Sequence, residues 1–296
     1  MTRSPAFSLI LEYELGKPRS GLALSVVEGL GQDSRKVDNQ RVQMHTNRVI
    51  ILKSPREIEQ LKIANAIAAE VLERLKEGVK PGVATQDLDG IAEETILSKG
   101  ASPAFKGYRG YPKSICASIN EEIVHGIPGQ RRLKEGDIVS LDVGVNYQGY
   151  YGDAAISLPV GDLDPAARKL LEVTEKALYI GIDMAKVGNR LFDISYAIQQ
   201  WVEKHGFSVV RDFVGHGIGK NLHEDPQIPN FGSPHQGPRL EKGMVFALEP
   251  MVNEGTYEVR ILSDGWTVVT ADGKRSAHFE HTIAILDGGA QILSAL

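Results

Sequence analysis

Two aspartates stand on either side of a predicted β-turn near the middle of the chain. Residues 139–157 alternate apolar and polar side chains, a pattern typical of half-buried strands. With residues 146–149 as the loop, Asp142 would lie directly opposite Asp153. Two ionised carboxylates about 4 Å apart repel by about 4 kcal/mol at an effective dielectric constant of about 20. Either one of them holds a proton, or a cation lies between them, or the register is shifted and both point into solvent.

A glycine-rich segment later in the chain contains two histidines, His216 and His223. Its Gly-x-Gly-x-Gly spacing lacks the strand–turn–helix context of a dinucleotide-binding loop, and no Lys-Ser/Thr pair follows as in a phosphate-binding loop. The glycines on both sides of His216 let the backbone pack closely and leave the imidazole accessible. His216 is therefore either a structural histidine or a metal ligand.

Two glutamates lie inside apolar, strand-like segments. Glu249 falls within residues 243–252, and Glu280 falls within residues 277–285. Neither segment contains an internal lysine or arginine that could neutralise its glutamate, and a buried carboxylate is costly unless it is paired or bound to a metal. Each glutamate alone could face solvent. Both of them together, beside the aspartates and His216, indicate a metal site.

These residues form a donor set suited to divalent metal ions. The set comprises Asp142, Asp153, His216, Glu249 and Glu280. Its carboxylates carry four negative charges, which two divalent ions would balance. Oxygen-rich ligation with one imidazole suits manganese, iron, cobalt or zinc. A pair of such ions about 3.5–4 Å apart activates a bridging water for hydrolysis.

Helices with an apolar face must position these segments. The spacing of apolar residues predicts helices over residues 55–77, 85–99 and 191–204, and a further helix that begins at residues 164–165. Ser54 and Pro55 are a typical N-cap and first-turn pair, and Gly100 and Gly206 are typical of residues that follow a helix end.

The two helix pairs resemble copies of each other at an offset of 106 residues. The matches are Lys80 with Lys186, Gly82 with Gly188, Asp87 with Asp193, Leu88 with Ile194 and Gly100 with Gly206. The repeat predicts two similar halves around a pseudo-twofold axis, with a cleft between them. No linker rich in proline, glycine or serine separates the halves, so residues 48–296 are predicted to form one domain.

The composition excludes several classes of protein. The chain has 296 residues, of which 42% are hydrophobic and 24% charged, as in ordinary soluble globular proteins. A net charge of −5 gives no electrostatic support for nucleic-acid binding. Cys116 is the single cysteine, which excludes an internal disulfide and a thiolate-only metal site. No apolar run approaches the roughly 20 residues of a membrane helix, so we expect a cytoplasmic protein.

The first 47 residues lack a sustained hydrophobic period and are predicted to form a poorly ordered N-terminal extension. Residues 7–11 are too short for a signal-peptide core, and acidic residues follow them at once. Because regular patterning begins only after residue 46, Met44 as the biological start is a further hypothesis.

Several motifs, in order along the chain, resemble those of the type I methionine aminopeptidases. They are residues 106–129, the hairpin of residues 139–157, Gly-His-Gly-Ile-Gly at 215–219, Leu-Glu-Pro-Met at 248–251 and Phe-Glu-His-Thr at 279–282. The resemblance covers about residues 48–287 and implies the pita-bread α/β (α+β) fold, with two pseudo-twofold halves, a central antiparallel sheet and flanking helices. It also implies removal of the initiator methionine from nascent proteins when the next residue is small. No cysteine/histidine zinc-finger extension is present, which fits the bacterial short form.

Carried over by position, the resemblance implies a role for each member of the donor set. Asp142 would chelate one metal ion, His216 and Glu249 would chelate the other, and Asp153 and Glu280 would bridge both. A metal-activated hydroxide would attack the scissile amide, with Glu249 as proton acceptor.

The resemblance also implies catalytic histidines and a methionine pocket. His223 would stabilise the tetrahedral intermediate, and His125 would assist proton delivery near the substrate nitrogen; for His125 the alternative is an ordinary turn residue. The residues at pocket positions are Tyr108, Tyr111, Cys116 and Trp266. Leu222 stands where an aromatic residue is frequent and Arg109 where a histidine is common, so the shape and selectivity of this pocket are open.

Two rival functions remain to be separated. A proline-specific peptidase that cleaves Xaa-Pro bonds shares this fold and these ligands, but it usually has a sizeable additional N-terminal domain. A non-catalytic binding protein of the same fold would lack the metal ligands. From the family we expect a monomer that acts on nascent-chain N-termini, with transient ribosome association.

Overall fold

The computed structural model describes residues 49–295. The N-terminal extension predicted for residues 1–47 and the hypothesis of a start at Met44 concern residues outside this range. The single domain predicted for residues 48–296 stays a prediction.

Four α-helices of the described chain correspond to the predicted ones. They are α1 (Pro55–Gly78), α2 (Thr85–Ser98), α3 (Pro165–Met184) and α4 (Leu191–Lys204). The Ser54 side chain accepts a hydrogen bond from the backbone N–H of Glu57, whose carboxylate accepts one from the Ser54 backbone N–H. This reciprocal capping box fixes the start of α1, as the Ser-Pro pair predicted. A short 3₁₀ helix covers Tyr108–Gly110.

The strands form one large antiparallel sheet and two small ones. The large sheet contains β1 (Ser102–Pro103), β2 (Cys116–Ile119), β4 (Ile138–Tyr147), β5 (Tyr150–Pro159), β7 (Gly215–Gly217), β8 (Glu224–Ile228), β9 (Val245–Leu248), β14 (Glu280–Leu286) and β15 (Gly289–Ile292). Its order is β1-β4-β5-β14-β9-β7-β8, with β2 beside β4 and β15 beside β14. One small sheet contains β6 (Ser208–Val209), β10 (Met251–Asn253) and β13 (Ser276–His278), and the other contains β3 (Glu122–Val124), β11 (Val259–Ile261) and β12 (Val268–Thr270).

The predicted repeat is present in the backbone. The offset of 106 residues maps both ends of α2 onto both ends of α4. Gly82 and Gly188 both adopt positive φ, at 90° and 94°, and donate their N–H groups to the carbonyls of Leu133 and Leu240. The helices of each half cover their own apolar cluster, one against β4 and β5 and the other against β9, β10 and β14. The two halves are therefore built alike around the central sheet.

The hairpin register differs from the predicted one. Gln148 and Gly149 alone form the turn, with φ of 52° and 82°, and Tyr147 pairs with Tyr150. Positive φ at both central residues is the mark of a two-residue type I′ turn, which matches the twist of the flanking strands. Asp142 consequently lies opposite Ala155, and Asp153 lies opposite Gly144, so the direct Asp142–Asp153 opposition was wrong. Because the pairing has moved by an even number of residues, the two aspartates still share one face as diagonal neighbours.

The two glutamate-containing segments are each broken at the glutamate instead of forming continuous strands. Glu249 lies between β9 in the large sheet and β10 in a small sheet, and Glu280 is the first residue of β14, which follows β13 after Phe279. Leu248 pairs with His281 in one sheet, whereas Met251 pairs with His278 in the other. Both segments thus pass between the large sheet and a small sheet at neighbouring positions, next to Glu249 and Glu280.

We expect Gly152→Ala to destabilise the fold. A Cβ atom at Gly152 would lie 2.6 Å from the backbone of Ala64 and Asn65 in α1, and such overpacking costs about 1–3 kcal/mol. Gly90→Ala is the control, because nothing lies within 4 Å of its added Cβ on α2, and alanine there should stabilise by about 0.5–1 kcal/mol. Urea unfolding of both variants measures the difference, and equal midpoints would contradict the close approach.

Candidate active site

Five consecutive strands of the large sheet supply the predicted metal ligands. Asp142 is on β4, Asp153 on β5, Glu280 on β14, Glu249 directly after β9 and His216 on β7. Glu280 pairs with Ala155, and His216 pairs with Ala247, two residues before Glu249. All of these acidic and histidine side chains line a single cavity of about 300 Å³.

The closest cluster within the set comprises Asp153, His216 and Glu280. One ligand atom from each lies within 4.8 Å of the other two. His216 Nε2 is 3.8 Å from Asp153 Oδ2 and 3.6 Å from Glu249 Oε1. Asp142 lies outside this closest cluster but lines the same cavity, and its charge raises the pKa of Asp153. The structure therefore brings all five predicted ligand residues to one cavity and places three of them in a close cluster.

Burial raises the pKa of every carboxyl group in the set, and the charges of neighbouring carboxylates raise three of them further. Burial raises the pKa of Asp142 to about 7. For Glu249 burial is the largest cause and the charge of Asp142 the second, and the pKa of Glu249 lies well above its ordinary value. The pKa of Glu280 is raised likewise by burial and by Asp153, Glu249 and Asp142. Without a cation, these groups hold protons that an ordinary surface carboxylate would lose.

His216 is arranged to offer an unprotonated nitrogen to this cluster. Its Nδ1 donates a hydrogen bond of 2.9 Å to the carbonyl of Gly217, so Nε2 carries the lone pair and faces the carboxylates. Burial lowers the pKa of His216 to about 4, so the imidazole is neutral at pH 7. A neutral imidazole held by a backbone carbonyl is the usual state of a metal-ligating histidine.

The unpartnered oxygens of the cluster fit a divalent cation. Asp142 Oδ1, Asp153 Oδ1 and Glu280 Oε1 are buried and have no hydrogen-bond partner in the described part of the chain. Buried polar atoms without partners are rare and costly. Carboxylate oxygens with one imidazole nitrogen are suitable ligands for manganese, iron, cobalt or zinc. The residues present therefore fit the group that the sequence predicted.

Two further histidines line the cavity on either side of the cluster. The His223 ring centroid is 4.3 Å from that of His216, and its Nδ1 is 3.0 Å from the Tyr108 hydroxyl. His125 has a φ of 60°, and its buried Nδ1 has no hydrogen-bond partner among the described residues. Burial is the main cause that lowers the pKa of both, to about 4 for His125 and well below the ordinary value for His223. Both imidazoles are therefore neutral at pH 7.

An apolar wall completes the cavity. The predicted pocket residues Tyr108, Tyr111, Cys116 and Trp266 all line it. The Trp266 ring meets Tyr111 edge-on with centroids 5.1 Å apart, and the Tyr111 hydroxyl donates to the carbonyl of Gly126 at 2.9 Å. Burial raises the pKa of the Cys116 thiol, which stays protonated. Leu222 and Arg109 also line the cavity, so the two departures from the family pattern lie at the pocket itself.

Some lining residues were missed by reasoning from the sequence. Phe213 meets His125 edge-on at 5.6 Å, and Met251 and Phe105 add further apolar surface. Met251 stands inside the motif of residues 248–251, and Phe213 lies two residues before the motif of residues 215–219, which was the signal available for them. His278 was also missed, although it lies two residues before Glu280 and its Nε2 is 3.8 Å from Glu249 Oε2.

The comparison with protein families agrees with this geometry. The sequence pattern of metallopeptidase family M24 matches residues 59–287, and the chain belongs to that family. The expected family, the pita-bread fold and the expectation of a metal-dependent aminopeptidase are confirmed. No helix of the described residues is long and apolar enough to cross a membrane.

The chain is similar to several named proteins. Methionine aminopeptidase 1 of Bacillus subtilis (strain 168) is 56% identical over 246 residues, which are 83% of this chain and 99% of that protein. The methionine aminopeptidase of Escherichia coli (strain K12) is 46% identical over 83% of this chain and 94% of that protein. The crystal structure of methionine aminopeptidase from Thermotoga maritima matches with a TM-score of 0.83 and 49% identity, over 84% of this chain and 100% of that chain. The prolidase from Pyrococcus horikoshii OT3 shares the fold, with a TM-score of 0.68 at 22% identity over 83% of this chain and 63% of its own.

We expect Asp142→Asn to stabilise the metal-free protein at neutral pH. The pKa of Asp142 rises from 3.8 to about 7 on folding, so the folded state binds its proton more tightly than the unfolded chain. The free energy of unfolding therefore falls as the pH rises through this window. Asparagine cannot ionise and therefore removes this loss of stability. The metal-free variant should unfold at least about 2 °C above the metal-free wild type near pH 7.5.

Calorimetry on chelator-treated protein measures this difference. The difference in unfolding temperature between the variant and wild type should shrink near pH 5, where Asp142 is largely protonated. Its sign should reverse when manganese is added, because the variant lacks a metal ligand. Asp287→Asn is the control, since the Asp287 side chain is 79% exposed and does not line the cavity. An Asp142→Asn variant that is less stable than wild type at both pH values would contradict the raised pKa of Asp142.

Proposed function

We propose that this chain removes the N-terminal initiator methionine from nascent proteins when the second residue is small. The observation that carries the proposal is the position of the carboxylate and imidazole cluster at the end of an apolar cavity. An unbranched thioether suits such a cavity. Relatives that are 45–56% identical carry the name methionine aminopeptidase, which supports the same function.

The metal would be held by the donor set, and we propose two divalent ions. Asp142 would contact one ion, His216 and Glu249 the other, and Asp153 and Glu280 both. Cobalt, manganese, iron and zinc all suit these donors. When bound, such ions supply an activated water and polarise the scissile carbonyl.

The protein's own groups then have distinct tasks. Glu249, ionised once a metal is bound, accepts the proton of the attacking water, because it belongs to the donor set and its Oε1 lies 3.6 Å from His216 Nε2. With the Tyr108 hydroxyl as the donor to His223 Nδ1, 3.0 Å away, the Nε2–H group of His223 is free to stabilise the developing oxyanion. His125 lies across the cavity against Phe213 and Trp266 and assists proton delivery to the leaving nitrogen.

The apolar wall selects the methionine side chain. Tyr108, Tyr111, Cys116 and Trp266 would surround the thioether, together with Leu222. Leu222 is 2% exposed and is smaller than an aromatic residue, so this part of the pocket wall differs from the family pattern. The buried Cys116 thiol contributes polarizable apolar surface there and takes no part in the reaction.

The Xaa-Pro peptidase alternative receives less support. The likeness to a prolidase, an X-Pro aminopeptidase and the dipeptidase PepE lies at 20–23% identity and shows the fold alone. The methionine aminopeptidase relatives are matched over 94–100% of their length, whereas the Pyrococcus horikoshii prolidase is matched over 63%. Nascent-chain N-termini are thus the proposed partners. Transient ribosome association, a monomeric state and a cytoplasmic location remain expectations.

The first test is the release of free methionine from the tripeptide Met-Ala-Ser. Metal-stripped protein should release none, and added manganese or cobalt should restore release. Met-Lys-Ser should be cleaved at least about a hundredfold more slowly, because the long second side chain does not fit beside the cluster. Folded, metal-loaded protein that leaves Met-Ala-Ser intact would refute the function, and cleavage of an Xaa-Pro peptide would then support the rival.

We expect Asp153→Asn to reduce turnover by at least about a thousandfold, because one proposed bridging oxygen loses its charge. The fold should persist, since the Asp153 backbone N–H still donates to Asn65 Oδ1. Asp287→Asn again serves as the exposed control and should leave turnover unchanged. Methionine release measures turnover, and far-ultraviolet circular dichroism checks the fold. Near wild-type turnover in Asp153→Asn would exclude the proposed bridging role.

A further inference from the structure

His278 is a buried histidine beside the proposed proton acceptor. Its side chain is 2% exposed, and its Nε2 has no hydrogen-bond partner among the described residues. The same Nε2 lies 3.8 Å from Glu249 Oε2, while Glu249 Oε1 lies 3.6 Å from His216 Nε2. The Glu249 carboxylate is therefore placed between two imidazoles, one from the donor set and one outside it.

The backbone of His278 is held firmly in this position. The Ser157 hydroxyl donates to the His278 carbonyl and accepts from the His278 N–H, each at 2.8 Å. With its own hydrogen used in this way, Ser157 must accept the 2.7 Å hydrogen bond from Ser140 on the neighbouring strand. These contacts connect β13 to the hairpin that carries Asp142 and Asp153, so the backbone that carries the His278 imidazole is fixed in position.

A neutral imidazole has one N–H group and one lone pair. When a cation is bound, Glu249 is an ionised carboxylate that can only accept a hydrogen bond, so a lone pair of Nε2 facing it would repel it and leave a buried acceptor unsatisfied. If Nε2 carries the hydrogen, a small rotation of the carboxylate brings the two groups to an ordinary hydrogen-bond distance of about 2.9 Å. The second arrangement satisfies both groups, and the first satisfies neither.

We propose that His278 is a positioning residue whose Nε2–H donates a hydrogen bond to Glu249 Oε2. The hydrogen bond fixes the plane of the carboxylate, so that Oε1 faces His216 and the proposed metal site. A hydrogen-bonded ligand loses less freedom when a metal binds, and such outer partners typically contribute 10–100-fold to metal affinity. This inference rests on the proposed function in one respect, namely the role of Glu249 as ligand and proton acceptor.

The test compares His278→Met with His278→Gln. The two new side chains are unbranched and of similar length, but only glutamine has an N–H donor that can reach Glu249. We expect His278→Met to bind cobalt about 10–100-fold more weakly than wild type and to show a similarly reduced kcat on Met-Ala-Ser, with KM changed by less than about threefold. His278→Gln should restore both quantities to within about threefold of wild type.

Cobalt affinity is measured by titration calorimetry, independently of activity. Equal affinity and kcat in His278→Met and wild type would overturn the proposal. The visible absorption of the cobalt-loaded protein should be the same in His278→Gln and wild type; a changed spectrum would make His278 a direct ligand and also overturn it. If His278→Met does not fold, His278→Ala takes its place in the same comparison. If wild type releases no methionine while the affinities still differ as expected, the proposed function fails and the positioning role stands.

Discussion

Repulsion among buried carboxylates is the constraint on which the rest of this structure depends. Asp142, Asp153, Glu249 and Glu280 share one cavity, and each has a pKa raised by burial, in most of them with a contribution from its neighbours. Groups in this state gain more from a divalent cation than surface carboxylates would, because the cation removes both the repulsion and the unpartnered oxygens. The surrounding fold must hold them together whether or not that cation is bound, and this requirement explains much of its architecture.

The sheet meets this requirement by joining the two halves of the repeat. The hairpin of β4 and β5 belongs to the first half, whereas β14, β9 and β7 belong to the second. The pairing of Glu280 with Ala155 is where the halves meet. Each half has its own helices and its own apolar cluster, which supply the burial that offsets the cost of the charged centre. The cluster is complete only when both halves are in place, so the site requires the pairing of β5 with β14.

Local signals in the sequence predicted the helices well, because Ser54, Pro55, Gly100 and Gly206 act through their immediate neighbours. Sequence patterns also predicted which residue types form the site. They predicted that the two hairpin aspartates lie on the same face of the sheet, because a register shift by an even number of residues leaves both on that face. The hairpin register itself was not predictable. It depends on a two-residue turn in which Gln148 adopts a positive φ, and the identity of a glutamine gives no sign of that conformation. The breaks at Glu249 and Phe279 were hidden for another reason. The apolar run continues through each break, and only pairing with two different sheets reveals where the chain changes direction.

Close backbone contacts explain why the carboxylates cannot move apart to relieve their repulsion. At Gly152, immediately before Asp153, the chain touches the backbone of α1 so closely that no Cβ atom fits. At Gly217, immediately after His216, it touches the carbonyl of Asp225 in the same way. Interiors packed this densely transmit strain instead of absorbing it. Because the backbone on both sides of the cluster is fixed, protonation or cation binding are the remaining ways to lower its energy. The same rigidity that makes the metal-free centre costly therefore gives the donor atoms their positions before a cation arrives, and little ordering remains to oppose binding.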